Sequence, residues 1–167
     1  MQNEAGAASN SPIVTTTATV SRSTDSLTYP TAGNIDLATS TAYCEFGAVG
    51  SYYSGYPIAI DSNGRIIYAH ASDTRLGNYD GVNIAFVATV SYLNGGRVKC
   101  ASAWGGATKS IAVDGSIPVS GAFDGSMGAS AVINIGGIFS AAGSVYIGPV
   151  AIYNYKMTDA ELQAITS

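Results

Sequence analysis

Apolar and polar side chains alternate with a period of two along most of this chain, and Gly, Asn, Asp and Pro interrupt the alternation at short intervals. Such a period puts successive side chains on opposite faces of a strand, so each segment has one face for a core and one for its surroundings. The clearest case is residues 41–46 (TAYCEF), which predict a strand with Ala42, Cys44 and Phe46 facing inward and Tyr43 and Glu45 facing the other way. Residues 19–22 and 27–30 read as short strands, followed by a turn at 31–34 (TAGN). Residues 57–60 and 65–69 are apolar runs separated by Asp61-Ser62-Asn63-Gly64. They predict a hairpin, because Asn-Gly tolerates positive φ at both central positions. Residues 73–81 (DTRLGNYDG) are polar and turn-forming and read as a loop. Residues 84–92 and 97–104 read as two strands of a second hairpin joined by Leu93-Asn94-Gly95-Gly96. Further strands follow at 109–113, 132–135 and 145–153, the last carrying Gly148-Pro149, a pair that implies a bulge where the missing proline N–H is not needed. Nine or ten short strands with a turn signal about every 8 to 12 residues are the pattern of a sandwich rather than of alternating strands and helices.

The chain closes differently. Residues 150–153 (VAIY) are an apolar, β-branched run that stops at Asn154, and Thr158 stands three residues before Glu161. That spacing predicts a reciprocal capping box at the start of a short helix, with Asp159 and Glu161 belonging to the helix start. Met157 and Leu162 fall at the spacing of a hydrophobic staple across the same cap.

Composition narrows the picture. At 167 residues the chain suits one domain with a core of its own, and 11% charged residues with 20 Gly and 11 Tyr favour strands and tight turns over helices. The net charge of −4 comes from scattered acids without a basic cluster, which excludes a nucleic-acid partner. No stretch reaches the roughly 18 apolar residues of a membrane span, and the first residues lack the charged start and apolar core of a secretory signal. Neither membrane insertion nor a secretory address is expected. Residues 1–18, rich in Ala, Ser, Asn and Thr, are set apart as an arm, a linker or a strand added to a neighbour, with the domain proper at 19–167. Cys44 and Cys100 share strand faces with apolar neighbours and read as buried thiols rather than as a disulfide.

Several motifs then occur in a telling order: Arg22-Ser-Thr-Asp25-Ser-Leu, Thr41-Ala-Tyr-Cys-Glu45-Phe, Arg97-Val-Lys-Cys-Ala-Ser-Ala-Trp104, Ser110-Ile-Ala-Val-Asp114-Gly115, Ile133-Asn-Ile-Gly136-Gly137 and Ile152-Tyr153-Asn154-Tyr-Lys-Met157-Thr-Asp-Ala-Glu161-Leu162. In this order they resemble the concanavalin A-like, laminin-G-like jelly-roll domains, in the version carried by bacteriophage tail-fibre and other virion proteins, over residues 20–167. Gly148-Pro149 departs from that version, which usually has a polar or charged residue before this strand. The resemblance implies an all-β fold, an antiparallel two-sheet jelly-roll sandwich with a short C-terminal helix. It also implies a virion location, other virion proteins as partners, assembly as a homo-oligomer such as a trimer, and host-surface glycans as ligands. Fold alone does not specify activity, because this sandwich serves lectins, hydrolases and structural modules alike.

The residues decide against catalysis. A retaining glycosidase needs two carboxylates about 5 Å apart, supplied on a strand by acids at i and i+2 or i+4, and no strand here carries such a pair. An inverting pair would have to be assembled across loops, as by Asp73 with Asp124. His70 is the single histidine and reads as a strand-end residue. Asp73, Asn78 and Asp80 gather oxygen ligands that suit calcium, although tight turns use the same residues; no other cofactor is implied. Tyr52, Tyr53, Tyr56, Tyr79 and Trp104 stand in expected loops near Asp73, Asn78 and Asp80. Aromatic faces beside amides and carboxylates are what a sugar-binding surface requires, and they are equally what a subunit interface uses. The expected function is therefore a non-enzymatic module that binds host-cell carbohydrate for adhesion. The alternative is a structural or decoration protein of the virion whose sandwich braces its neighbours.

Overall fold

The computed structural model describes residues 27–49, 55–61, 63–69, 75–87, 96–139 and 144–167. Among them are eleven strands, β1 (Leu27–Pro30), β2 (Ser40–Val49), β3 (Gly55–Ala59), β4 (Gly64–Ala69), β5 (Leu76–Asp80), β6 (Ile84–Val87), β7 (Arg97–Gly105), β8 (Thr108–Val113), β9 (Val119–Ala122), β10 (Val132–Phe139) and β11 (Ser144–Tyr153), and one helix, α1 (Asp159–Thr166). They form two antiparallel sheets, six strands in the order β1-β10-β3-β4-β5-β6 and five in the order β11-β2-β7-β8-β9. The expected strand at 19–22 lies outside the described residues, as does the arm at 1–18.

The core lies between the sheets. Ala42, Cys44 and Phe46 of β2 are all fully buried there, as the alternation predicts, and meet Ile58, Ile66, Ile67, Leu76, Ile111 and Ile133. Burying each such branched or aromatic side chain contributes on the order of 2 kcal/mol. Cys44 and Cys100 stand opposite each other on β2 and β7, both free and fully buried. Burial pushes both thiols up from their ordinary pKa, so neither supplies a thiolate at neutral pH.

A second, smaller cluster covers the outside of the five-stranded sheet. Ala101, Ala103 and Ala112 leave room for α1 to approach closely, and Met157 and Leu162 fill the space between. The staple is thus present, and so is the capping box. Glu161 N–H donates to the Thr158 hydroxyl at 3.3 Å, and Thr158 N–H donates to the Glu161 carboxylate at 2.7 Å. These bonds from Thr158 hold the Glu161 carboxyl below the usual carboxylate range. Thr158→Ala is expected to lower stability by about 1 kcal/mol, a fall of about 3 °C in thermal midpoint, measured by calorimetry. An unchanged midpoint shows that the cap carries no stability.

Two hairpin expectations meet different outcomes. β3 and β4 do pair across residues 61–64, but Gly64 has no positive φ. Its missing side chain is needed because a Cβ there would stand 2.0 Å from the Met127 carbonyl oxygen. The Asp61 carboxylate organises the turn instead, accepting from the N–H groups of Asn63 (2.8 Å) and Gly64 (2.7 Å). The second expected hairpin, between 84–92 and 97–104, is not seen among the described residues, which leave out 88–95. β6 pairs with β5 in the six-stranded sheet, whereas β7 pairs with β2 and β8 in the other, so the connection changes sheets. The expected bulge at Gly148-Pro149 is present, where the β11 to β2 register shifts between Ile147 and Val150.

Candidate functional site

The outer face of the six-stranded sheet is aromatic, and irregularities of register put it there. Arg65 stands opposite Tyr79 and Tyr68 opposite Gly77, so three steps along β4 match two along β5. One residue of β4 is therefore extra, a β-bulge. Ile66 and Ile67 both enter the core, and Arg65 and Tyr68 both return to the outer face. Between β3 and β4 the register shifts again, since Gly55 faces Ala69 and Ile58 faces Ile67. Tyr56 thereby lies outside although Ile58, two residues on, is in the core.

The result is a continuous patch on β3 to β6. The rings of Tyr56 and Tyr68 are 5.5 Å apart by centroid, and those of Tyr68 and Phe86 5.9 Å, all half-buried. The Arg65 guanidinium sits 4.7 Å from the Tyr56 ring and 4.9 Å from those of Tyr68 and Tyr79. Arg75 lies 4.4 Å from the Phe86 ring at the far end. Gly77, opposite Phe86, makes the close packing fit, because a Cβ there would meet the Phe86 ring at 2.4 Å. The Tyr79 hydroxyl donates to the Gly81 carbonyl at 2.6 Å, which fixes that ring beside Arg65. Cations against ring faces contribute about 0.5–1 kcal/mol each at such sites and hold the rings in one arrangement. Chemically, the patch offers flat apolar surfaces for C–H faces, with two guanidinium groups set against the rings.

Of the residues singled out from sequence, Tyr56 and Tyr79 belong to this face, on strands rather than loops. Tyr52, Tyr53, His70 and Asp73 lie outside the described residues. Trp104 is a correction: it stands in β7, wholly buried in the core, with its indole N–H donating to the Asp36 carbonyl at 3.2 Å.

Asn78 and Asp80 are corrected too. Residues 76–80 form β5 instead of a loop, and the alternation points Asn78 and Asp80 between the sheets. Asn78 donates to the Ser102 hydroxyl at 2.9 Å and the Ser110 carbonyl at 3.2 Å, while its buried Oδ1 has no hydrogen-bond partner among the described residues. Asp80 pairs with the Lys109 ammonium at 2.7 Å, both side chains fully buried. It also accepts from the N–H groups of Val82 (3.0 Å), Asn83 (2.6 Å) and Asp124 (3.2 Å). Burial by itself raises the Asp80 carboxyl, but the bonds from Lys109, Asn83 and Val82 outweigh it and hold the carboxyl below its ordinary value. A carboxylate so occupied is not available to calcium, and among the described residues no three His, Cys, Asp or Glu side chains converge as ligands.

Sequence reading missed Arg65, Tyr68, Arg75 and Phe86. An Arg and a Tyr three apart on one strand belong to opposite faces unless a bulge intervenes, and nothing in the sequence marks this one.

No protein-family model and no curated protein matches the sequence. Solved structures do match in fold. The receptor-binding domain of botulinum neurotoxin type G is similar over 76% of this chain and 37% of its own, at 11% identity and a TM-score of 0.55. Domains LG4-5 of the mouse laminin α1 chain match 80% of this chain and 40% of theirs, at 14% identity and 0.53. The CBM40 of the Ruminococcus gnavus IT-sialidase, bound to α2,3-sialyllactose, matches 78% of this chain and 84% of its own, at 12% identity and 0.51. This chain thus spans about two fifths of the first two and most of the third. The fold is a concanavalin A-like, laminin-G-like jelly-roll sandwich. That is the architecture the ordered motifs resembled.

Proposed function

We propose that this chain is a non-enzymatic carbohydrate-binding module and that the outer face of the six-stranded sheet is its ligand surface. The observation that carries the reading is the row of Tyr56, Tyr68 and Phe86 rings, 5.5 and 5.9 Å apart, with the Arg65 guanidinium held among three tyrosines. Sugar C–H faces stack on such rings, and guanidinium N–H groups suit hydroxyl or carboxylate oxygens. A CBM40 of the same fold was solved with α2,3-sialyllactose bound, which supports a glycan as the ligand class.

The sequence resemblance supports a finer reading: the module acts at the surface of a bacteriophage virion, as a homo-oligomer among other virion proteins, and adheres to glycans of the host cell. A shallow face of this kind binds one sugar weakly, and many copies supply the avidity. Glycan-array binding of a multimerised full chain, with host wall and capsular glycans and sialyllactose included, tests the proposal. Arg65→Ala and Tyr68→Ala are expected to lower binding at least tenfold while circular dichroism stays unchanged. Absence of binding by the parent multimer, or equal binding by both variants, overturns it.

A further inference from the structure

The rings on the outer face run across the strands rather than along one. Tyr56 belongs to β3, Tyr68 to β4 and Phe86 to β6, and Gly77 of β5 stands opposite both Tyr68 and Phe86. Without a side chain there, the Tyr68 and Phe86 rings meet over β5. Each step along the row, 5.5 or 5.9 Å between centroids, is about one sugar residue of an extended glycan chain. The row therefore suits several consecutive residues better than a single sugar.

The rings are not coplanar. Tyr56 and Tyr68 are inclined to each other by 56°, and Tyr68 and Phe86 by 41°. A crystalline glycan face holds its residues in one plane and needs rings in one plane, whereas a single chain turns at every linkage and follows inclined rings. Packing holds the inclination. The Arg65 guanidinium lies against the rings of Tyr56, Tyr68 and Tyr79, the Tyr79 hydroxyl is bonded to the Gly81 carbonyl, and Phe86 fills the space that a Cβ on Gly77 would take. Rings fixed before the ligand arrives lose little freedom on binding, so the twist belongs to the site.

Stacking from one side also selects the sugar. In an extended β-1,4-linked chain, consecutive residues turn opposite faces toward the protein, so both faces of each sugar must present C–H groups to the rings. Gluco-configured sugars, with every ring substituent equatorial, meet that condition; an axial hydroxyl interrupts one face.

We infer that the outer face takes one extended, twisted chain of β-1,4-linked, gluco-configured sugars, held through internal residues that stack on Tyr56, Tyr68 and Phe86. The inference rests on this face being the glycan surface, and adds the class of glycan and the manner of its binding. A terminal sugar and a crystalline surface are the competing ligands.

Titration of the full chain, followed by NMR, with cello- and chito-oligosaccharides from monosaccharide to hexasaccharide tests this. In at least one series, affinity is expected to rise by about tenfold or more from monosaccharide to trisaccharide, as the second and third rings are engaged. Blocking both ends of the hexasaccharide is expected to leave its affinity within about twofold, because internal residues make the contacts. Phe86→Ala, at one end of the row, is expected to weaken the trisaccharide about fivefold or more and the disaccharide less than twofold. Tyr56→Ala, at the other end, makes the same test should the first variant fail to fold. Equal affinity for monosaccharide and hexasaccharide, loss of binding on blocking the ends, or retention on crystalline cellulose or chitin overturns the inference while glycan binding itself stands. So does a parent that binds other glycans on the array but neither of these series. A parent multimer that binds no glycan at all removes the inference together with the reading it rests on.

Discussion

Lys109→Ala is expected to destabilise the fold by about 3–5 kcal/mol, because it leaves a buried carboxylate without its counter-ion. In the parent the ammonium meets Asp80 at 2.7 Å and the Asn83 carbonyl at 2.5 Å, with both members of the ion pair removed from water. Urea unfolding at neutral pH measures the loss, and a change below about 1 kcal/mol shows that the pair is replaced by solvent. The pH dependence has a definite sign. The Asp80 carboxyl is depressed in the folded state, so its stabilisation is complete above the unfolded value of about 4 and is lost as pH falls through the folded value. Without Lys109, burial dominates and raises that carboxyl, and acid then relieves the variant by neutralising the stranded charge. The gap in stability between parent and variant therefore narrows as pH falls from the variant's raised value, above about 4, toward the parent's depressed one. Asp80→Asn/Lys109→Met is expected to be less destabilised than the sum of its single changes, since removing both charges leaves neither stranded.

Trp104→Ala is expected to cost about 3–5 kcal/mol, by deleting the largest fully buried side chain and leaving a cavity in the main core. Trp104→Phe fills more of that space but abandons the bond to the Asp36 carbonyl, so it costs less and keeps the fold. The second variant separates core from ligand surface. Glycan binding by Trp104→Phe is expected to stay within about twofold of the parent, in contrast to Tyr68→Ala. A variant that folds with the parent's midpoint yet loses glycan binding would place Trp104 at the ligand after all.

Much of the fold was legible locally. The alternation in β2 predicted its buried face residue by residue, the Thr158 to Glu161 spacing predicted the cap of α1, and Gly148-Pro149 marked the bulge in β11. Each of these depends on residues a few positions apart. β5 was not legible, because Leu76-Gly77-Asn78-Tyr79-Asp80 has the composition of a turn. Its polar positions are strand-compatible only because Ser102, the Ser110 carbonyl and Lys109 arrive from the other sheet to satisfy them. The aromatic face was half legible: Tyr56 and Tyr79 were singled out, while Arg65, Tyr68 and Phe86 were not.

By itself, then, the sequence determined where strands alternate, where a helix starts, and that the strands make a sandwich. These follow from side-chain periodicity and backbone capping within one stretch of chain. Only the tertiary structure decided which sheet β6 and β7 join, which face Tyr68 takes, and that Trp104, Asn78 and Asp80 turn inward. Those outcomes depend on a single inserted residue in a ladder and on partners 24 or 68 positions away, and a register slip of one residue exchanges inside for outside.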